Sequence, residues 1–140
     1  MFGQSIRRLE DDRFLRGQGR YVSDQAVPAD TLHAYFLRSP HAHAELGAME
    51  LAAARAAPGV HLVLTGEDLR AAGIGSLPCL PILEADLPRI IPPRPALAQG
   101  RVRHVGAAVA CIIAESREAA EGTAELIAVD YTPIDAVAST

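Results

Sequence analysis

Between residues 32 and 39 the chain reads Leu-His-Ala-Tyr-Phe-Leu-Arg-Ser. Apolar residues stand at both parities around an aromatic centre, which predicts a strand covered on both faces. Pro40 removes a backbone donor and interrupts it. Residues 41–51 predict a second strand and 52–57 a short helix. Pro58-Gly59 stops that helix, because proline cannot continue it and glycine accepts a positive φ. The apolar residues 60–64 then complete a strand–helix–strand unit. In Thr65-Gly66-Glu67-Asp68 a hydroxyl precedes a carboxylate by three residues, the spacing that satisfies free amides at a helix start, so a short helix is expected through about Ala72.

Residues 108–114, Ala-Val-Ala-Cys-Ile-Ile-Ala, form an unbroken apolar run between Gly106 and Glu115, the pattern of a central strand buried on both faces. Ser116 caps a helix along which Ala119, Ala120, Thr123, Ala124 and Ile127 recur at three- and four-residue spacing, with Glu118, Glu121 and Glu125 directed elsewhere. Gly122 in its interior costs about 1 kcal/mol relative to alanine. Residues 129–134 predict a last strand. Residues 1–31, polar and turn-rich, are expected to be an extended amino-terminal arm with little regular structure, lying on the domain or on a neighbour. Two Gly and six Pro between residues 73 and 95 forbid helix and predict a long ordered loop, a feature that tends to be functional or to dock on a partner. The order of elements fits one α+β domain over residues 32–140, a mixed sheet with packed helices, better than a doubly wound sheet.

Composition agrees with a folded chain: 49% of the 140 residues are hydrophobic, 21% are charged and the mean hydropathy is +0.13. All 13 basic residues are Arg, and the net charge of -4 with a pI near 5.7 argues against a nucleic-acid partner, which requires a dense positive surface. Arg7, Arg8, Arg13, Arg16 and Arg20 are interleaved with Glu10, Asp11 and Asp12, as in a solvated, salt-bridged segment. Neither a membrane-spanning apolar run nor the apolar core of a secretory signal is apparent, so no membrane insertion is expected. A reducing cytoplasm, with Cys79 and Cys111 as free thiols, is the expected location.

Candidate chemistry is sparse. His41 and His43, two apart, would leave the same face of a strand, and with His33 they could imitate a metal site. Zinc needs at least three ligands and usually supporting partners, and no carboxylate stands at a suitable spacing, so structural or surface histidines are the expectation. His61 and His104 are isolated. Gly17-Gln18-Gly19 lacks the preceding strand, third glycine and following helix of a dinucleotide fingerprint. Gly73-Ile74-Gly75-Ser76 is followed by Leu77-Pro78 where a nucleophile elbow needs a helix. Both read as turn glycines. Cys79 and Cys111 form no metal-binding spacing, and neither has a neighbour suited to activate a thiol. No catalytic, cofactor-binding or metal-binding residue is therefore assigned.

Three segments together resemble the start of the molybdopterin-binding large subunit of aerobic carbon monoxide dehydrogenase and its xanthine dehydrogenase and aldehyde oxidase relatives. The first runs from Arg8-Leu9-Glu10-Asp11-Asp12-Arg13-Phe14-Leu15-Arg16-Gly17 to Gln18-Gly19-Arg20-Tyr21-Val22-Ser23-Asp24. The second is Arg38-Ser39-Pro40-His41-Ala42-His43-Ala44, with Ala57-Pro58-Gly59-Val60 and Leu64-Thr65-Gly66-Glu67-Asp68-Leu69 after it. The third is Val105-Gly106-Ala107-Ala108-Val109-Ala110, then Ala119-Ala120 and Val129-Asp130-Tyr131. Ala107-Ala108, Thr132 and Glu50 depart from the pattern of many relatives.

The resemblance implies an α/β-hammerhead domain within an oxidoreductase that hydroxylates or oxidises a small substrate at a molybdenum centre. Electrons would pass through iron–sulfur clusters towards FAD. It implies that the molybdopterin ligands and the active-site Glu lie in later domains of the subunit, so that this chain, inactive alone, is a truncated piece partnered by those domains and by iron–sulfur and flavin subunits or domains. The loop at 73–95 would then stand near the substrate entrance. The alternative expectation is a free-standing protein-interaction module with a hammerhead fold and no redox role, ending at Thr140. A sizeable apolar patch and some self-association are expected of a domain deprived of its neighbours.

Overall fold

The apolar run at 108–114 becomes the axis of the fold. The computed structural model describes residues 3, 5, 7–78 and 92–137. In it Ala108–Ala114 forms strand β5, the middle of a three-stranded sheet. Strands β1 (His33–Arg38) and β3 (Val60–Thr65) lie antiparallel on either side of it. A second three-stranded antiparallel sheet has β2 (Ala44–Glu50) between β4 (Arg101–Val102) and β6 (Ala128–Pro133). The helices are α1 (Asp11–Leu15), α2 (Ala52–Arg55), α3 (Gly66–Ala71) and α4 (Arg117–Ala124).

The chain divides into two compact units, Met1–Thr31 and Leu32–Thr140. Within the first, α1 and a 3₁₀ turn at Val22–Asp24 supply more regular structure than the polar sequence suggests. Acidic residues in the first turn of α1 complement its dipole, and the i,i+3 and i,i+4 pairs Arg13–Glu10 and Arg16–Asp12 bridge its surface.

In the second unit one core lies between α4 and the first sheet. Ala54, Val63, Ala110, Ile112, Ala114, Ala120, Ala124 and Ile127 are all buried there. The small residues of α4 let it lie close against β5, as the alanine spacing indicates. Its amino end is capped by Ser116, whose Oγ accepts from the Ala119 amide at 3.1 Å. Ile127 packs in the same core from just beyond the helix end. A smaller cluster of Ala44, Val102, Ala107 and Val109 links β5 to the second sheet.

Several expectations need correction. The α+β class holds, but the strands form two antiparallel sheets and not one mixed sheet. The strand–helix–strand unit is split, with β2 in one sheet and β3 in the other. Only residues 51–59 join them, and a parallel crossover takes about a dozen residues or more. Strand β2 starts at Ala44 and not at residue 41, because Ser39 Oγ accepts from the His41 amide at 3.0 Å and holds the chain in a bend around Pro40. Strand β1 is not covered on both faces: its burial alternates, since α4 lies on one side of the sheet only. The two-residue strand β4 was not anticipated; it is too short to leave a pattern.

Candidate functional site

Each sequence candidate can now be placed. His33 opens β1 opposite Ala114 in the first sheet. His41 sits in the bend before β2 with its ring 4.8 Å from that of Tyr131. The Nδ1 of His43 is 2.9 Å from the carbonyl oxygen of Asp135. Two of the three histidines thus hold the entrance of β2 against β6, and the third belongs to the other sheet. Among the described residues no group of three His, Cys, Asp or Glu side chains is arranged to hold a metal ion. Burial pushes the Tyr131 hydroxyl above its ordinary range, with the Ser39 hydroxyl acting in the opposite direction.

The glycine motifs are turns. Gly17 has a φ of +67° directly after α1, and its amide donates to the Phe14 carbonyl at 3.0 Å. A shallow open depression of about 610 Å³ in this unit is walled by Phe14, Gly17, Gly19, Tyr21 and Asp24, and the Phe14 and Tyr21 rings stack at 5.8 Å. A Cβ on Gly19 would come within 3.3 Å of the Phe14 ring, so Gly19 is a packing glycine. Gly73 follows α3 with a φ of +73°. Of the loop at 73–95, residues 79–91, including Cys79, lie outside the described residues. Its stem is tied where the Leu77 amide donates to the Arg94 carbonyl at 2.9 Å. Cys111 is buried in β5 and desolvation pushes its thiol upward, the reverse of what a thiolate nucleophile requires.

Sequence reasoning missed one grouping. An open depression of about 350 Å³ runs along the outer edge of β3, lined by Val60 through Leu64 with Arg55 and Asp68. Pairing Val60 with Ala114 brings His61 Nε2 to 3.5 Å from Glu115 Oε1, and Arg55 reaches Asp68 Oδ2 at 3.6 Å. No spacing in the sequence signals the His61–Glu115 contact, since β3–β5 pairing creates it.

Asp68 is tied into the fold. Asp68 Oδ2 accepts from the Thr65 amide at 2.8 Å and from Thr65 Oγ1 at 2.7 Å, and the Asp68 amide donates back to Thr65 Oγ1 at 3.3 Å. These bonds, first that of the Thr65 hydroxyl and then that of its amide, hold the Asp68 carboxyl below the usual carboxylate value; burial opposes them and Arg55 adds to them. A carboxylate so engaged is a helix cap and a poor general base.

No buried side-chain nitrogen or oxygen among the described residues lacks a hydrogen-bond partner. No helix among them is long and apolar enough to cross a membrane.

Comparison with known proteins places the chain. Residues 16–135 match the family described as aldehyde oxidase and xanthine dehydrogenase, a/b hammerhead domain. The chain is 38% identical over 139 residues to the nicotine 6-hydroxylase large subunit of Paenarthrobacter nicotinovorans, covering 98% of this chain and 16% of that one. Among solved structures it superposes on quinoline 2-oxidoreductase from Pseudomonas putida 86 with a TM-score of 0.79 at 40% identity, covering 96% of this chain and 16% of the other. It superposes on a Cu,Mo-CO dehydrogenase with a TM-score of 0.73 at 34% identity, covering 94% and 15%. The chain therefore spans about one sixth of the length of the relatives it matches.

Proposed function

Because this chain belongs to the α/β-hammerhead domains of the aldehyde oxidase and xanthine dehydrogenase family, we propose that it is the amino-terminal scaffold domain of a molybdenum-hydroxylase large subunit. Its role is to support the domains that bind molybdopterin; iron–sulfur and flavin subunits or domains complete the electron path. The pterin supplies the redox chemistry when bound elsewhere in the subunit, and no step is assigned to the residues present.

One observation carries this reading: nearly the whole chain aligns with a single stretch covering about one sixth of much longer oxidoreductase subunits. The titratable groups support it. Asp68 caps a helix, His43 meets a backbone carbonyl and Cys111 is a buried neutral thiol. Each is bound up in holding the fold.

The test is direct. The purified 140-residue chain is expected to retain no molybdenum and to reduce no dye with purines, aldehydes or carbon monoxide, whereas a longer gene product containing it does both. Turnover by the short chain alone overturns the scaffold role.

A further inference from the structure

The first sheet has two apolar faces, and among the described residues only one of them belongs to a core cluster. On the packed face Tyr35, Leu37, Val63, Ala110, Ile112 and Ala114 meet α4. On the other, the register sets out two rows of three. Ala34 lies opposite Ile113 and Ile113 opposite Leu62, while Phe36 lies opposite Cys111 and Cys111 opposite Leu64. All six are apolar, and none belongs to either core cluster. Phe36 is 43% exposed and Leu62 45%, whereas Cys111, in the middle of its row, is 8% exposed.

The chemistry of this face argues for a permanent cover. A sheet face that stays in water alternates polar residues with the apolar ones of its core side, whereas strands covered on both sides read as continuous apolar runs. β5 is such a run, and the second face holds no charged or hydroxyl side chain over two full rows. Transient interfaces are about as polar as ordinary surface; obligate ones resemble a domain core cut in half. A cover of that kind is most simply supplied by the same polypeptide. The relatives carry this stretch within chains about six times as long, since it makes up 15–16% of each.

Resting on the scaffold reading above, we propose that the face formed by Ala34, Phe36, Leu62, Leu64, Cys111 and Ile113 is the surface on which the molybdopterin-binding remainder of the same subunit docks. The occupant presents an apolar, uncharged surface of its own. Removing it exposes Phe36 and Leu62.

Hydroxyl-radical footprinting read by mass spectrometry tests this without any substitution. The oxidation rates of Phe36 and Leu62 are compared in the 140-residue chain and in the longer, molybdenum-loaded subunit. Both residues are expected to oxidise readily in the short chain and at least about tenfold more slowly in the long one, as interface burial removes solvent access. Equal rates in the two proteins overturn the proposal. So does slow oxidation in the short chain: if it depends on concentration a second copy is the cover, and if not, a segment of this chain is. A molybdenum-loaded subunit that turns over substrate while Phe36 and Leu62 stay reactive sinks the docking surface and leaves the scaffold reading standing. Turnover by the short chain sinks the scaffold reading whatever the footprint.

Discussion

Replacing Asp68 by alanine deletes the acceptor of two short hydrogen bonds from Thr65, at 2.8 Å from its amide and 2.7 Å from its hydroxyl. Thr65 is buried, so its amide is left without a partner where water has little access. Loss of a helix cap costs about 1 kcal/mol, and an orphaned buried donor about 1–3 kcal/mol, so the sum for this site is about 2 kcal/mol. The Arg55 contact at 3.6 Å is half-exposed and adds little. For a chain of this size 2 kcal/mol corresponds to a fall in melting temperature of about 8 °C. The pH dependence has a definite sign. The folded-state value of Asp68 is lowered from 3.8, so its stabilisation is fully present above the unfolded-state value and is lost as pH falls through the folded one. Urea unfolding of native chain and Asp68→Ala should therefore differ by a constant amount from neutrality down to about pH 5, and the gap should narrow as pH falls through the folded-state value, to what a neutral oxygen acceptor supplies. Asp68→Asn keeps an oxygen acceptor without the charge and should fall between them. Indistinguishable midpoints at neutral pH, or a gap that does not narrow on acidification, refute the assignment of Asp68 as a working cap.

Two glycines in helices behave oppositely. A Cβ on Gly66 would lie within the contact distance of the Ala98 carbonyl oxygen and 2.9 Å from its carbon, a backbone obstacle that cannot rotate away. Gly66→Ala should thus lower stability by about 2 kcal/mol, read as a shifted urea midpoint with unchanged slope. Gly122 lies exposed in α4 with nothing within 4 Å of an added Cβ. Gly122→Ala should raise stability by about 0.5–1 kcal/mol, and a thermal midpoint that stays level or falls would show that α4 is not a regular helix at that position.

What was legible in the sequence was whatever short-range chemistry decides. The Thr65–Asp68 box, the Ser116 cap, the Pro58-Gly59 stop and the run of β5 all stand where spacing puts them, because each depends on residues within a few positions of one another. Long-range pairing decides the rest. Nothing local tells β2 and β3 to join different sheets, although the short link at residues 51–59 carries a length argument that could have excluded a parallel crossover. The His61–Glu115 pair depends on the β3–β5 register, and the Arg55–Asp68 pair on how α2 and α3 are set at the two ends of β3. His41 and His43 were misplaced onto a strand for a local reason that was available: Ser39 ahead of Pro40 favours a side-chain-bonded bend.

The error over β1 is the most instructive, because its pattern reports more than this fold uses. Residues 32–39 and 108–114 are apolar at both parities, and a sequence acquires that pattern only where both faces of the strand leave water. Here α4 covers Tyr35 and Leu37, while Phe36, on the opposite face, stays exposed. The mismatch does not arise from a weak helix or a misread register, since Phe36–Cys111 and Cys111–Leu64 align in one unbroken row. Among the described residues these apolar side chains belong to neither core cluster, and Phe36 and Leu62 stay exposed. On the docking proposal above, hydrophobic patterning describes the environment of a finished subunit, and subtracting the coverage this domain supplies for itself outlines the surface left for a partner.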